Sequence, residues 1–259
     1  MLLKDKVVIV SGIGAGLGIE VARVAAELGA RVAMSCRTVS FLEQSEKELR
    51  DAGHEVMTQR CDISSEEDCQ AFARAVVDKW GKIDALVNNA ALTLPFAPFE
   101  EANWEEWHKC HNITMFGSLR MARASVPGMK KAGGGYIVNV SSMAHKKPLP
   151  MQAAYASAKG GLEAATKHMA LELGKYNIRV NTARMGWMDG PPVRAYLGHI
   201  ASEQGKTFAD IADPIAANIS LGTIPDDRDC AKAVVFLCTD MAAAVSGAAL
   251  DINGGEWMP

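Results

Sequence analysis

Residues 7–18 read VVIVSGIGAGLG and decide the fold. A β-branched apolar run ends there in a cluster of glycines, and an amphipathic helical pattern begins at Leu17. Glycines let the backbone turn sharply and approach a phosphate closely, while a helix N-terminus supplies free N–H groups and a positive dipole end. Glycines also make ordinary tight turns. The strand before them and the helix after them favour the pyrophosphate-binding turn of a dinucleotide fold.

Strand-like and helical segments alternate along the rest of the chain. The predicted strands are Lys6–Val10, Arg31–Ser35, His54–Gln59, Ile83–Val87, Tyr136–Ser141, Ile178–Thr182 and Ala248–Ile252. The predicted helices are Leu17–Leu28, Phe41–Ala52, Glu66–Trp80, Trp104–Met129, Ala153–Lys175 and Asp227–Thr239. Most strands are continuous apolar runs, as expected when helices cover both faces of a parallel sheet. We therefore expect an α/β fold that is Rossmann-like and doubly wound, with a mainly parallel seven-stranded sheet and helices on both faces.

No shift of composition and no Pro- or Ser-rich linker divides the chain, so residues 1–259 are predicted to form a single dinucleotide-binding and catalytic domain. One segment, 186–220, breaks the alternation because it is rich in Gly, Pro, Met and aromatic residues. Irregular segments of this length usually serve as lids or binding loops. We expect a substrate-binding loop and lid there, built from a loop and short helices.

Composition excludes several classes of protein. Of the 259 residues 49% are hydrophobic and 22% charged, which is ordinary for a globular protein and excludes a disordered chain. The net charge of −3 offers no basic field for nucleic acid or an anionic membrane, and no apolar run reaches the ~18 residues of a spanning helix. The chain start lacks a secretory pattern, and the six cysteines lack metal-ligand spacing. We expect reduced thiols, a cytoplasmic protein and no metal site.

The end of the second predicted strand bears on the choice of cofactor. An acidic residue there would accept hydrogen bonds from a ribose 2′-hydroxyl, whereas an arginine would hold a 2′-phosphate. This chain has Cys36 followed by Arg37. A guanidinium without a carboxylate favours NADP(H) through a charge-assisted bond, and NAD(H) stays open because Arg37 could equally be a solvated residue at a strand end.

Tyr155 and Lys159 are candidates for proton transfer. Residues four apart on a helix share a face. Reduction of a carbonyl needs a proton donor, and a neighbouring ammonium together with a positive nicotinamide would lower the pKa of a phenol toward neutrality. The pair alone is common on helical surfaces. Ser142 lies 13 residues upstream at the end of a predicted strand, where its hydroxyl could hold the substrate oxygen.

These motifs together resemble the short-chain dehydrogenase/reductase family over essentially the whole chain. The spacing Gly12-x3-Gly16-x-Gly18 matches the glycine motif of that family, with Ser11 in place of the usual Thr. Asn88-Asn-Ala-Ala91 resembles the N-N-A-G motif, and Asn253-Gly-Gly resembles D-G-G near the end. Catalytic roles are implied for Asn112, Ser142, Tyr155 and Lys159. Contacts with the cofactor are implied for Ser11, Gly12, Gly16, Leu17, Gly18, Arg37, Asp62, Ile63, Asn89, Ala90, Tyr155, Lys159, Gly186 and Met188.

The resemblance also gives each catalytic residue a role. Tyr155 would act as acid in reduction and base in oxidation, Lys159 would tune it, and Ser142 would orient the substrate oxygen. Asn112 would position a water through its backbone and complete a proton relay. Members of the family generally form tetramers through the two long helices, so a homotetramer or a dimer is expected.

Three positions depart from the family pattern. Ala91 replaces the last glycine of N-N-A-G, Met185 replaces a proline, and Gly190 replaces the threonine expected to bond the carboxamide of the nicotinamide. At positions 185 and 190, either the affinity for cofactor or the stereochemical precision falls, or another group substitutes. Arg184 and Asp189 could pair with each other or recognise a polar substrate.

The loops after strands four to six should form the substrate pocket. The residues predicted to contact substrate are Ser142, Leu94, His145, Met151, Trp187 and Tyr196. Their mostly apolar character favours an apolar small-molecule carbonyl or alcohol, although such residues also form cores and subunit interfaces. The predicted function is an NAD(P)-dependent oxidoreductase that transfers hydride between nicotinamide and a ketone or secondary alcohol. The alternative is a catalytically silent, dinucleotide-sensing regulatory protein; an epimerase is disfavoured because no separate substrate domain follows.

Overall fold

Apolar runs form a single parallel sheet. The computed structural model describes residues 1–93 and 96–258 of the chain. The strands are β1 (Val7–Ser11), β2 (Arg31–Cys36), β3 (Val56–Arg60), β4 (Ala85–Asn88), β5 (Gly135–Ser142), β6 (Ile178–Met185) and β7 (Ala249–Ile252). Their order is β3-β2-β1-β4-β5-β6-β7, and every neighbouring pair is parallel. The predicted fold class is confirmed, and the predicted strand ends are shifted by at most three residues.

Helices cover both faces of the sheet. They are α1 (Leu17–Glu27), α2 (Val39–Asp51), α3 (Glu66–Trp80), α4 (Trp104–His111), α5 (Ser118–Lys131), α6 (Ala153–Leu173), α7 (Pro191–Glu203), α8 (Phe208–Ala217) and α9 (Asp227–Phe236). In β1, Val8 and Val10 face the core shared with α1 and α9, whereas Val7 and Ile9 face the core shared with α3 and α5. Burial on both sides explains why the strand has no polar alternation.

The predicted helix Trp104–Met129 is interrupted. Between α4 and α5 the chain makes a π-helical turn, Asn112–Gly117. Arg120 donates hydrogen bonds to the backbone oxygen of Asn112 at 3.2 Å and to its Oδ1 at 2.8 Å. A π-helical turn displaces the backbone from the regular ladder and is frequent at functional sites. The prediction of an uninterrupted helix was therefore wrong at Asn112, the residue expected to position a water.

The helix ends follow the local signals in the sequence. Ser65 accepts a hydrogen bond from the backbone N–H of Asp68 and caps α3. Gly81 ends the same helix with a left-handed φ of 80°. Within the segment 186–220, α7 and α8 form as short helices. Backbone pairing between Asp189 and Asp226 connects the start of this segment to the turn before α9.

None of the six cysteines is in a disulfide. Within the described ranges, no helix combines the length and the apolar character needed to cross a membrane.

Candidate active site

A cleft of about 580 Å³ opens at the carboxyl ends of the central strands, between the glycine loop and α6. This edge is where open α/β sheets bind ligands. The structure brings together there thirteen of the residues predicted from sequence: Ser11, Gly12, Gly16, Leu17, Gly18, Arg37, Asp62, Ile63, Asn89, Ala90, Tyr155, Lys159 and Met188. Residues of six separate chain segments therefore converge on one cavity.

The glycine loop has the shape that a pyrophosphate requires. Gly12 has φ of 91°, and its N–H donates to the backbone oxygen of Ser35 at 2.8 Å. A side chain at Gly12 would collide with the backbone of Ala90, and one at Gly18 would lie 2.7 Å from Nδ2 of Asn89. Gly16 precedes α1 and has no side chain with which to cap it, so the N–H groups of the first turn are left to an anion. The loop therefore fits a dinucleotide.

The far end of the cleft carries a positively charged side chain. Arg37 is exposed directly after β2 and lines the cleft. Hydrogen bonds from the hydroxyl and the N–H of Ser64 hold the pKa of Asp62 below its usual range, and the charge of Arg37 adds to the effect. Phe41 of α2 also lines the cleft. Sequence reasoning missed it, because an apolar residue in an amphipathic helix indicates only packing.

Tyr155 and Lys159 lie on adjacent turns of α6 and both line the cleft. The Nζ atom of Lys159 is 5.7 Å from the centre of the Tyr155 ring and donates to the backbone oxygen of Val140 at 2.6 Å. Burial lowers the pKa of Lys159 to about 8. Burial also raises the pKa of Tyr155 to about 12, against a lowering by its hydrogen bond with Ser142. Burial thus outweighs the neighbouring protein groups at the phenol, and the expected lowering of its pKa, which includes the charge of a bound nicotinamide, stays a prediction.

Ser142 ends β5 beside Tyr155. Its Oγ accepts a hydrogen bond from the N–H of Ala144 at 3.2 Å, which leaves the hydroxyl proton to donate. Asn112, the fourth member of the expected set, begins the π-helical turn packed against α6. The contact of Arg120 with both oxygens of Asn112 was not predicted. Residues eight apart lie about two helical turns from each other, farther than the three or four residues at which side chains on a helix meet.

His145 has contacts other than the substrate contact expected for it. Its Nδ1 lies 2.6 Å from the backbone oxygen of Ser142 and its Nε2 lies 2.9 Å from Oε2 of Glu163. Both ring nitrogens therefore face protein oxygens. Burial lowers the pKa of His145, although Glu163 opposes this. A neutral ring carries one N–H, so it can donate to Ser142 or to Glu163 but not to both.

Arg184 and Asp189 do not pair, so that part of the sequence prediction was wrong. Arg184 is 5% exposed and donates to Glu163 at 3.1 and 2.8 Å and to Asp251 at 2.6 Å. Asp189 accepts instead from Arg194 at 2.6 Å. Two carboxylates already bind the guanidinium of Arg184, which leaves it no charge to offer a polar substrate.

Aromatic residues form one wall beside the cleft. Trp187 stacks on Tyr196 with ring centres 6.4 Å apart, and Tyr196 packs on Phe96 at 6.2 Å. Met151 is 51% exposed and has a left-handed φ of 65°. Leu94, also predicted to contact substrate, lies outside the described residues.

Gly186 does not line the cleft as the structure describes it. A side chain there would lie 2.9 Å from Cα of Asn253, so close packing against the chain after β7 requires the glycine. Its N–H donates to the backbone oxygen of Ile252 at 3.0 Å.

Comparison with known proteins identifies the family. A family model described as Enoyl-(Acyl carrier protein) reductase matches residues 12–256. Dehydrogenase/reductase SDR family member 4 of Bos taurus is 30% identical over 254 residues, covering 98% of this chain and 88% of the relative. The chain belongs to the short-chain dehydrogenase/reductase family.

Other members of the short-chain dehydrogenase/reductase family show the same likeness. The 7alpha-hydroxysteroid dehydrogenase of Escherichia coli strain K12 is 30% identical over 253 residues, covering 98% of this chain and 94% of that one. A structure of actinorhodin polyketide ketoreductase with NADPH has a TM-score of 0.90 at 32% identity, covering 97% of both chains. NAD⁺-bound xylitol dehydrogenase has a TM-score of 0.91 at 30% identity, covering 98% of this chain and all of that one.

This short-chain dehydrogenase/reductase is an NAD(P)-dependent oxidoreductase that acts on CH–OH or C=O groups of a small molecule. The comparisons support this activity and not the regulatory alternative.

Proposed function

We propose that the protein transfers hydride between NADP(H) and a ketone or secondary alcohol of a largely apolar substrate, with Tyr155 as its acid and base. One observation carries the proposal. Tyr155 and Lys159 lie on one face of α6 and line the same cleft as the glycine loop. A proton donor and a binding site for the dinucleotide therefore share one cavity.

The proton transfer follows from the geometry of three side chains. When bound, the nicotinamide supplies the hydride in reduction and accepts it in oxidation. Tyr155 donates its phenolic proton to the oxygen that becomes the alcohol, and in oxidation it takes that proton back. Ser142 accepts from the N–H of Ala144 and directs its own proton to the substrate oxygen, holding it beside the phenol.

Lys159 and Asn112 complete the proton path. A lysine whose pKa is about 8 exchanges protons readily near neutrality, and its Nζ is fixed by the backbone oxygen of Val140. Its positive charge stabilises the phenolate left after proton donation. Asn112, held by Arg120 at the π-helical turn, positions the water through which the proton is replaced.

NADP(H) is the proposed cofactor. Arg37 is exposed at the end of β2, lines the cleft, and would bind the 2′-phosphate through charge-assisted hydrogen bonds. The remaining predicted contacts with the dinucleotide are proposed as stated from the sequence, except that Gly186 acts through packing against Asn253. NAD(H) is the alternative that direct titration would reveal.

An apolar substrate is proposed from the aromatic wall of Phe96, Trp187 and Tyr196. Residues 186–220, which contain α7 and α8, would form the lid over it, within a single domain of residues 1–259. The wall joins this lid to the loop after β4 through ring contacts. Apolar side chains with few polar groups select a substrate by shape and burial.

We also propose assembly into a homotetramer or dimer. Trp104, Phe116 and Leu171 of the two long helical regions are 59%, 48% and 82% exposed. These exposed apolar side chains lie on the surface that such an assembly would cover.

Tyr155→Phe tests the proposed function. Removing the acid should lower kcat by about 10²–10⁴-fold while the dissociation constant for NADPH stays unchanged, because the hydroxyl carries the proton and little of the binding. Turnover with a panel of ketones and calorimetric titration measure the two quantities. Tyr196→Phe in the proposed lid is the control and should keep the proton-transfer step. Wild-type turnover by the Tyr155 variant would refute the role.

A further inference from the structure

Asp227 is a buried carboxylate behind the glycine loop. It is the first residue of α9 and is 6% exposed, and among the described residues its Oδ2 has no hydrogen-bond partner. Oδ2 lies 3.3 Å from the position that a Cβ of Gly16 would take. Any side chain at Gly190 would collide with the same carboxylate. Asp227 takes no part in the proposed proton transfer.

The surroundings of Asp227 are mostly acidic. Burial, together with the charges of Asp226, Glu20 and Asp189, raises its pKa to about 6. The neighbouring arginines bind other carboxylates: Arg23 binds Glu20 and Glu48, Arg228 binds Glu27 and Glu20, and Arg194 binds Asp189. Cys230 on the same helix stays neutral, because burial raises its pKa to about 12. The arginines of α1, α7 and α9 that lie near Asp227 are thus each engaged elsewhere.

We propose that Asp227 opposes the phosphates of the dinucleotide through the glycine loop, and so lowers the affinity of the cleft for its cofactor. The proposal rests on the proposed function, which places the pyrophosphate at the N-terminus of α1. Gly16 is the residue before that terminus and lines the cleft, whereas the Asp227 carboxylate lies against Gly16 and does not line the cleft. Like charges on the two sides of one glycine repel. A weaker hold on cofactor speeds its release, a step that often limits turnover.

Linkage fixes the sign of the pH dependence. If the carboxylate weakens the binding of an anion, the anion raises the pKa of the carboxylate by the same free energy. Below about pH 6 Asp227 is protonated and the opposition disappears. Affinity for cofactor should therefore fall as the pH rises above 6. Binding near neutral pH should take up a proton from solution.

The position of the Asp227 carboxylate also explains why residue 190 is a glycine. The family resemblance leads to the expectation of a threonine there, and the carboxylate of Asp227 occupies the space that its side chain would need. A side chain at position 190 and an aspartate at position 227 therefore exclude each other. Asp227 accounts for this departure from the family pattern.

Direct binding tests the electrostatic part. We would titrate wild type, Asp227→Asn and Asp229→Asn with NADPH and with NADH at pH 5.5, 6.5 and 8, in buffers of different ionisation enthalpy, because the uptake of protons is greatest between the free and bound pKa values of Asp227. NADH is included because its pyrophosphate does not titrate in this range. Asp229 is the control because it is an exposed carboxylate on the same helix, paired with Lys232.

We expect Asp227→Asn to bind each dinucleotide about tenfold more tightly than wild type at pH 8, which corresponds to one pKa unit of coupling, and equally at pH 5.5. Proton uptake should vanish in this variant alone. Equal affinities of Asp227→Asn and wild type at pH 8 would overturn the proposal. A wild type that binds neither dinucleotide would instead refute the proposed function.

A second set of variants needs no cofactor. Gly190→Thr should lower Tm by about 3–8 °C in the wild-type background, because an overpacked side chain meets a buried carboxylate, and by much less in Asp227→Ala. The same loss of Tm in both backgrounds would show that Asp227 does not exclude a side chain at 190. This result stays informative if Asp227→Asn folds poorly.

Discussion

Glu163→Ala should remove the central group of a buried ionic cluster. Glu163 and Arg184 are each 5% exposed, and Arg184 makes two of its three hydrogen bonds to carboxylates with Glu163. His145 lies against the same carboxylate. The substitution leaves the guanidinium buried with Asp251 as its remaining carboxylate partner.

The expected loss in the free energy of unfolding follows from these contacts. Breaking a buried ion pair by removing one partner costs about 3–5 kcal/mol, because the other charge is left uncompensated. Asp251 keeps one of the three hydrogen bonds, so we expect the free energy of unfolding to fall by about 3 kcal/mol, at the lower end of that range. Glu163→Gln keeps the shape and one acceptor and should lose about 1–2 kcal/mol.

The loss should depend on pH. Burial acts to raise the pKa of Glu163, but hydrogen bonds and charge from Arg184 hold it below the ordinary 4.5. Its contribution to stability is therefore fully present above pH 4.5 and is lost as the pH falls through the lower folded-state value. The difference between wild type and Glu163→Ala should grow somewhat from pH 7 to pH 5, because loss of Glu163 lowers the pKa of His145 further, and narrow in stronger acid.

Urea unfolding monitored by circular dichroism measures the difference. Glu172→Ala is the matched control, since Glu172 is an exposed glutamate on the same helix and its replacement should change stability by less than about 0.5 kcal/mol. A loss below ~1 kcal/mol for Glu163→Ala would show that the cluster does not hold Arg184 in the way described.

Two further outcomes are expected. Arg37→Asp should weaken NADPH binding by about 10–100-fold and leave NADH binding little changed, as measured by titration, because a charge-assisted bond is worth about 1.5–3 kcal/mol. Arg60→Gln, at another exposed arginine nearby, should leave the ratio of affinities unchanged, and an unchanged ratio in Arg37→Asp would remove the argument for NADP(H). Light scattering should give two or four times the chain mass of 27.7 kDa, and a monomer mass would contradict the proposed assembly.

Sequence reasoning found features whose chemistry is local. The glycine loop, the Tyr155–Lys159 pair and the end of β5 each depend on spacing within one segment, and the parallel sheet follows from the alternation of segments. The resemblance to a family then gave a role to Asn112, which spacing alone would have left as an ordinary helix residue.

Contacts between distant segments could not be predicted in this way. Arg184 meets Glu163 and Asp251 across 21 and 67 residues of chain, and nothing in the sequence favours these partners over Asp189. The contact of Asp227 with Gly16 could not be predicted either. An aspartate at the start of a helix is typical of helix capping and indicates nothing about a glycine 211 positions earlier. The high pKa of Tyr155 depends on burial, which the spacing of Tyr155 and Lys159 does not report.

The bond from Lys159 to the backbone oxygen of Val140 has an evolutionary consequence. The proposed acid–base pair is attached to a main-chain atom of a central strand, whereas the aromatic residues that would contact the substrate lie on segments outside the sheet. Mutations can remodel those segments without disturbing proton delivery. New specificities can accordingly arise on this scaffold by successive small changes, each intermediate remaining a working catalyst.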